Sequence, residues 1–68
     1  MSKFVEFKTS QNEKVFICVN AYEVAGFCSV FVDGKNTGTR IWLSGMVDEF
    51  IVSDSYDYVF KEIKEAIA

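Results

Sequence analysis

The apolar side chains of this chain recur at every second position through most of its length and then, from Ser55 onward, at every third or fourth. A period of two belongs to a strand with one buried face, and a period near 3.6 to a helix with one apolar stripe. This switch dictates the order of elements: strands first, then one helix. Tyr56, Val59, Phe60, Ile63 and Ile67 form the stripe, with Asp57, Lys61, Glu62, Lys64 and Glu65 on the other side. Ser55 is placed to cap the helix, Asp57 suits its positive end, and Asp57 with Lys61 makes a favourable i,i+4 pair. Burying the stripe gains roughly 10 kcal/mol, whereas ordering the helix costs about 1 to 2 kcal/mol for each residue. A helix over 55–68 must therefore dock on the strands, and docking is expected to use its whole stripe.

Ahead of it, residues 3–9 alternate, with Val5 and Phe7 on one side and Phe4, Glu6 and Lys8 on the other, as in a half-buried strand. Residues 10–13 form a polar turn. Residues 14–19 run through Val15, Phe16, Ile17, Cys18 and Val19 without polar interruption, which predicts a central strand covered on both faces and hairpinned to the first. Asn20-Ala21-Tyr22-Glu23 has a capping-box pattern, with the Asn20 side chain accepting from the third following amide and Glu23 reaching back. One short helical turn is expected there. Residues 24–32 resume extended structure, and Gly26 permits a bulge or a close approach. Asp33-Gly34 signals a type I′ turn, because both central residues of that turn need positive φ, and residues 35–38 lengthen it into a loop. Residues 39–44 are the fourth strand, with Ile41 and Leu43 opposite Arg40 and Trp42. A turn at Gly45 leads to the fifth strand over 49–52. The expected fold is α+β, an antiparallel β-meander of about five short strands packed by one C-terminal amphipathic helix, in a single domain over 1–68.

Half of the 68 residues are hydrophobic, 16% are aromatic and none is proline, a composition too apolar for a disordered tail. The longest uncharged stretch, residues 24–32, is nine residues, far short of the ~20 that span a bilayer. The N-terminal residues meet a charge at Lys3 and again at Glu6 and lack the apolar run of a signal peptide. No membrane attachment is expected, and the expected compartment is cytoplasmic. Cys18 and Cys28 lie among apolar neighbours, read as reduced core residues rather than a secreted disulfide framework.

Charge is uneven. Residues 1–40 carry five Lys/Arg against four Asp/Glu, and residues 41–68 carry two against six. Between Arg40 and Lys61 every charge is negative, at Asp48, Glu49, Asp54 and Asp57. A phosphate backbone would be repelled there, so a nucleic acid is disfavoured as a partner. The stretch reads as a solvated loop and helix start, or as an acidic patch for a basic protein.

The chain has no histidine, the commonest general base and metal ligand, and two cysteines alone do not make a zinc site. The glycines, lysine and hydroxyls of residues 34–39 lack the GxxxxGK[ST] spacing of a phosphate loop. Asp48 and Glu49 sit beside an exposed turn, with no sign of the burial that would raise a carboxyl pKa. No catalytic, cofactor-binding or metal-binding residue is expected, and the chain is not read as an enzyme. Arg40 and Trp42 share a strand face, a pairing of types enriched at protein interfaces. The same aromatics, with Phe16, Tyr22, Phe27 and Phe31, also suit base stacking, and packing in the core is the plainer alternative.

From Val15 onward the signals resemble small FlbD-like flagellar and swarming-motility proteins, and similar small proteins of phages and mobile elements. The residues that carry this are Val19-Asn20, Thr39-Arg40-Ile41-Trp42-Leu43, Gly45, and Val52-Ser53-Asp54-Ser55 with the helix that follows. The chain departs from that pattern at Asn20-Ala21, where those proteins often carry proline after the asparagine, and over residues 34–38. The resemblance implies a β-meander with a helix and no catalytic residues.

The reading is a small non-enzymatic protein-interaction module, an inhibitor or adaptor acting on a host protein if a phage or mobile element carries it. The alternative is a single-stranded nucleic-acid-binding protein using the sheet's aromatics. The candidate interface is Arg40, Trp42, Phe31, Phe4, Asp48 and Glu49. One helix covers one sheet face, yet large apolar residues point both ways along the strands. A second apolar face exceeds what a monomer usually exposes, so a homodimer is expected in preference to a small closed barrel.

Overall fold

A computed structural model of the chain describes residues 3–9, 14–45 and 49–68. Five strands and one helix follow in order: β1 (Phe4–Lys8), β2 (Phe16–Asn20), a 3₁₀ turn (Ala21–Glu23), β3 (Val24–Val32), β4 (Lys35–Leu43), β5 (Glu49–Val52) and α1 (Tyr56–Ile67). The fold is α+β as expected, but the strands divide between two antiparallel sheets, β1–β2 and β3–β4–β5. The 3₁₀ turn makes the division. Asn20 Oδ1 accepts from the Tyr22 N–H at 3.0 Å, so the cap serves the second following amide rather than the third, in a turn too short to be an α-helix.

The two sheets are stitched where β1 ends and β5 ends. Thr9 bridges Val52, and the Ser53 N–H donates to the Lys8 carbonyl at 2.8 Å. The Lys8 N–H donates to Asp54 Oδ2, and the Thr39 hydroxyl to the Asp54 carbonyl, both at 2.8 Å. Thr39 is fully buried, so this bond satisfies a hydroxyl that would otherwise be costly to enclose.

Every element but β3 gives the core a buried residue, and β3 packs against it through Val24 and Phe27. Val5, Phe7, Val19, Ala21, Ile41, Val52, Val59 and Ile63 are buried together, with Ile17, Val24, Phe27, Leu43, Phe50 and Ala66 packed against them. β1 alternates as expected, Val5 and Phe7 inward and Phe4, Glu6 and Lys8 outward. β2 does not have two covered faces. Val19 is buried and Ile17 half-buried, but Phe16 and Cys18 are exposed, because no described element packs on the outer side of this hairpin. Cys18 is therefore an exposed thiol and Cys28 a half-buried one; both are free, and neither belongs to the core. The turn expected over residues 10–13 lies outside the described residues.

Asp33 and Gly34 have φ of 52° and 79° and form a two-residue turn, as type I′ requires. Val32 pairs with Lys35 directly, so residues 35–38 belong to β4 and not to a loop. Gly26 shows both expected features. The β3–β4 register shifts between Val24 and Gly26, and a Cβ on Gly26 would lie 2.6 Å from the Trp42 ring. The helix starts where expected, with Ser55 Oγ accepting from the Tyr58 N–H at 3.2 Å. Its stripe is only partly used: Val59 and Ile63 are buried, whereas Tyr56, Phe60 and Ile67 remain well exposed. α1 reaches β1, the 3₁₀ turn, β3 and β4, and seating one narrow line of side chains among these elements leaves its flank in solvent.

Candidate interaction surface

Paired residues of antiparallel strands point to the same side, so the registers sort the β3–β4–β5 sheet into two faces. Phe27, Ile41, Phe50, Thr39 and Val52 face the core. Gly26 with Trp42, Cys28 with Arg40, Trp42 with Glu49 and Arg40 with Ile51 face outward. The structure thus brings Arg40, Trp42 and Glu49 together, as three neighbours on one sheet face. The other candidates are elsewhere. Phe31 lies near the tip of the β3–β4 hairpin and is 65% exposed, Phe4 is on the outer face of the β1–β2 sheet at 58%, and Asp48 lies outside the described residues.

Trp42 lies across Gly26 and is 37% exposed. Its indole occupies the space a side chain at 26 would take, so the glycine lets a large ring lie close against β3. Arg40 Nε is 3.1 Å from Glu49 Oε1, but its N–H is not directed at that oxygen, and the buried nitrogen makes no hydrogen bond. Both side chains are roughly half exposed, so the pair adds little stability. It offers a guanidinium and a carboxylate for a partner to engage.

The pattern reading put Tyr56 and Phe60 in a buried stripe, but both remain exposed. Phe27, Tyr56 and Phe60 form an aromatic group, with ring centroids 5.2 Å (Phe27–Tyr56) and 6.2 Å (Phe27–Phe60) apart, and the Lys64 ammonium lies 6.0 Å from the Phe60 centroid. A groove of ≈ 300 Å³ runs between Val24, Gly26 and Phe27 on β3 and Phe60, Lys64 and Ile67 on α1. The signal for it was present: Tyr56 and Phe60 lie at i,i+4, on the margin of a stripe too wide for one contact line. Ile51 and Phe16 are likewise exposed.

Tyr58 is held above the ordinary tyrosine pKa, first by the Glu62 carboxylate one turn along, then by partial burial and by Asp54. Among the described residues, no group of three or more His, Cys, Asp or Glu side chains is placed to hold a metal ion, and no helix is long and apolar enough to cross a membrane. Compared with known protein families, curated proteins and solved structures, the chain matches none.

Proposed function

We propose that this chain is a small non-enzymatic protein-interaction module that binds another protein through the outer face of β3–β4–β5. The observation that carries this reading is the composition of that face: Trp42 and Ile51 beside the Arg40–Glu49 pair, with Phe31 beyond them on the hairpin. An aromatic and an arginine surrounded by apolar area are the residues that dominate binding energy at protein interfaces. A phosphate-binding face would instead need unpaired cations, and here the arginine has a carboxylate at 3.1 Å. The absence of histidine from the sequence supports a binding role over catalysis, and a cytosolic setting belongs to the same reading. The resemblance at Thr39-Arg40-Ile41-Trp42-Leu43 supports a flagellar or phage-borne context, in which the protein acts as an adaptor or as an inhibitor of a host protein.

The rival is a single-stranded nucleic-acid binder, favoured by Phe16 opposite Lys8 on the outer face of β1–β2 and by Phe4 at the far end of that face, where flat rings and a cation could stack a strand. Binding to heparin or an oligonucleotide at about 50 mM salt that vanishes by about 200 mM would establish the rival. The protein-binding reading expects no such retention, and expects proteins captured by the parent to be lost from the Trp42→Glu variant while circular dichroism shows both baits folded.

A further inference from the structure

We infer that the free edge of β3 is a contact between two copies of this chain, paired antiparallel about a two-fold axis at Cys28. This rests on the protein-interaction reading and names a second copy as a partner. β3 is the outermost strand of its sheet, with β4 on its other side. Edge strands are normally guarded by shortness, lysine or proline. β3 has nine residues, none charged and none proline, and none of them is fully buried. The opposite edge of the same sheet, β5, has four residues, includes Glu49, and is tied to the other sheet through Val52. β2 also has an open side, but offers five residues. β3 is the long unguarded edge.

Its own geometry selects the register. The β3–β4 pairing shifts between Val24 and Gly26 and again between Val30 and Phe31, so residues 26–30 are the regular run and Cys28 is its centre. A two-fold axis there sets Cys28 against Cys28 of the second copy, Phe27 against Ser29, and Gly26 against Val30. Each unlike pair matches a larger side chain with a smaller one, and no like charges meet. Like charges placed opposite each other would destabilise an antiparallel pair; this register has none, and a two-fold makes the patch complementary to itself. The result is one six-stranded sheet.

The apolar surface around this edge is large for a chain of this size. A standard stable interface takes about 800 Å² from each partner. Phe31 on β3, with Trp42 on β4 and Tyr56, Phe60 and Ile67 on α1, leaves on the order of 500 Å² exposed, taking a full aromatic side chain as about 200 Å². The strand edge and the groove beside Phe60 lie next to these residues.

Opposed residues of an antiparallel pair have Cα atoms about 4.5 to 5.5 Å apart, within the range a disulfide bridges. Light scattering behind a sizing column is expected to give about twice the 7.7 kDa chain mass. Under mild oxidation by diamide, Cys18→Ser is expected to form a covalent dimer and Cys28→Ser none. Cys28→Glu, whose carboxylate would lie beside Arg40 in the monomer but against its own copy at the axis, is expected to keep its circular dichroism and lose the dimer. A parent that stays monomeric at the highest concentration reached overturns the inference. So does a covalent dimer that survives Cys28→Ser and disappears in Cys18→Ser, which would move the contact to the β1–β2 face. Neither result touches binding to other proteins, which the salt-dependence and capture experiments decide.

Discussion

Gly38 has no room for a side chain. Its φ of 154° lies outside the usual range of L-residues, and a Cβ there would overlap the Val52 carbonyl oxygen and press on Ser53. Gly34 also has positive φ, yet nothing lies within 4 Å of its missing Cβ. The two glycines therefore separate steric from conformational cost. Gly34→Ala is expected to lose about 1 kcal/mol, whereas Gly38→Ala, which must push β4 away from the end of β5, is expected to lose about 3 kcal/mol or more. Urea midpoints compare them, and equal losses would show that β4 does not approach Val52 this closely. Tyr58 supplies a pH prediction. Its raised pKa means that the folded state holds the phenol proton more tightly than the unfolded chain does. The associated stability is present below the ordinary value near 10 and fades as pH rises through the higher folded value. Removing the leading cause by Glu62→Gln should lower the tyrosinate titration of the folded protein in ultraviolet absorbance, leaving that of the denatured chain unmoved.

The helix was legible as an element because its signals are local: a serine cap, an acidic first turn and a 3.6 period. Which part of its stripe is buried was not, since that depends on the width of the site between the sheets. Val59 and Ile63 lie on the buried line. Ile63→Asp places a carboxylate with no partner in the core, a cost of several kcal/mol that rivals the whole stability of a small domain, and loss of the thermal unfolding transition is the expected outcome. Lys64→Ala, on the exposed side and near the Phe60 ring, is expected to cost less than about 1 kcal/mol. If both melt alike, α1 does not seal this core. For the strands, alternation was enough to place Val5 and Phe7 inward and to set Arg40 and Trp42 on one face. It failed for β2, where the unbroken apolar run from Val15 to Val19 carries no period and only the neighbouring elements decide that Phe16 and Cys18 face solvent. The hairpin loop shrank for a related reason. Lys35, Asn36 and Thr37 have turn-like composition, but Asp33-Gly34 already completes the reversal, so the next residue can pair.

At the scale of the whole molecule, two small sheets share a core because one short seam fixes their relative position. That seam could not be read from the sequence, as its parts are Lys8, Thr39 and Asp54, residues far apart in the chain with no motif between them. Neither could the assembly of Arg40, Trp42 and Glu49, which needs the β4–β5 register to bring Glu49 opposite Trp42. Asp54 holds the seam twice. Its side chain accepts from the backbone of β1 at Lys8, and its carbonyl accepts from buried Thr39 on β4. Only the first bond depends on the side chain. Asp54→Ala removes the acceptor for the Lys8 N–H and is expected to cost about 1.5 to 3 kcal/mol, the range for a hydrogen bond to a charged group. Asp54→Asn keeps a carbonyl oxygen in place of the carboxylate and should lose less. Thr39→Val tests the second bond by deleting the hydroxyl in a buried site, and a loss near 1 kcal/mol is expected because the Asp54 carbonyl is left without that donor. Since Asp54 and Thr39 join in one network, Asp54→Ala with Thr39→Val should depart from the sum of the two singles. Urea unfolding of the four proteins closes the cycle, and strict additivity would mean that the two bonds act independently and the sheets are held together by the shared apolar core.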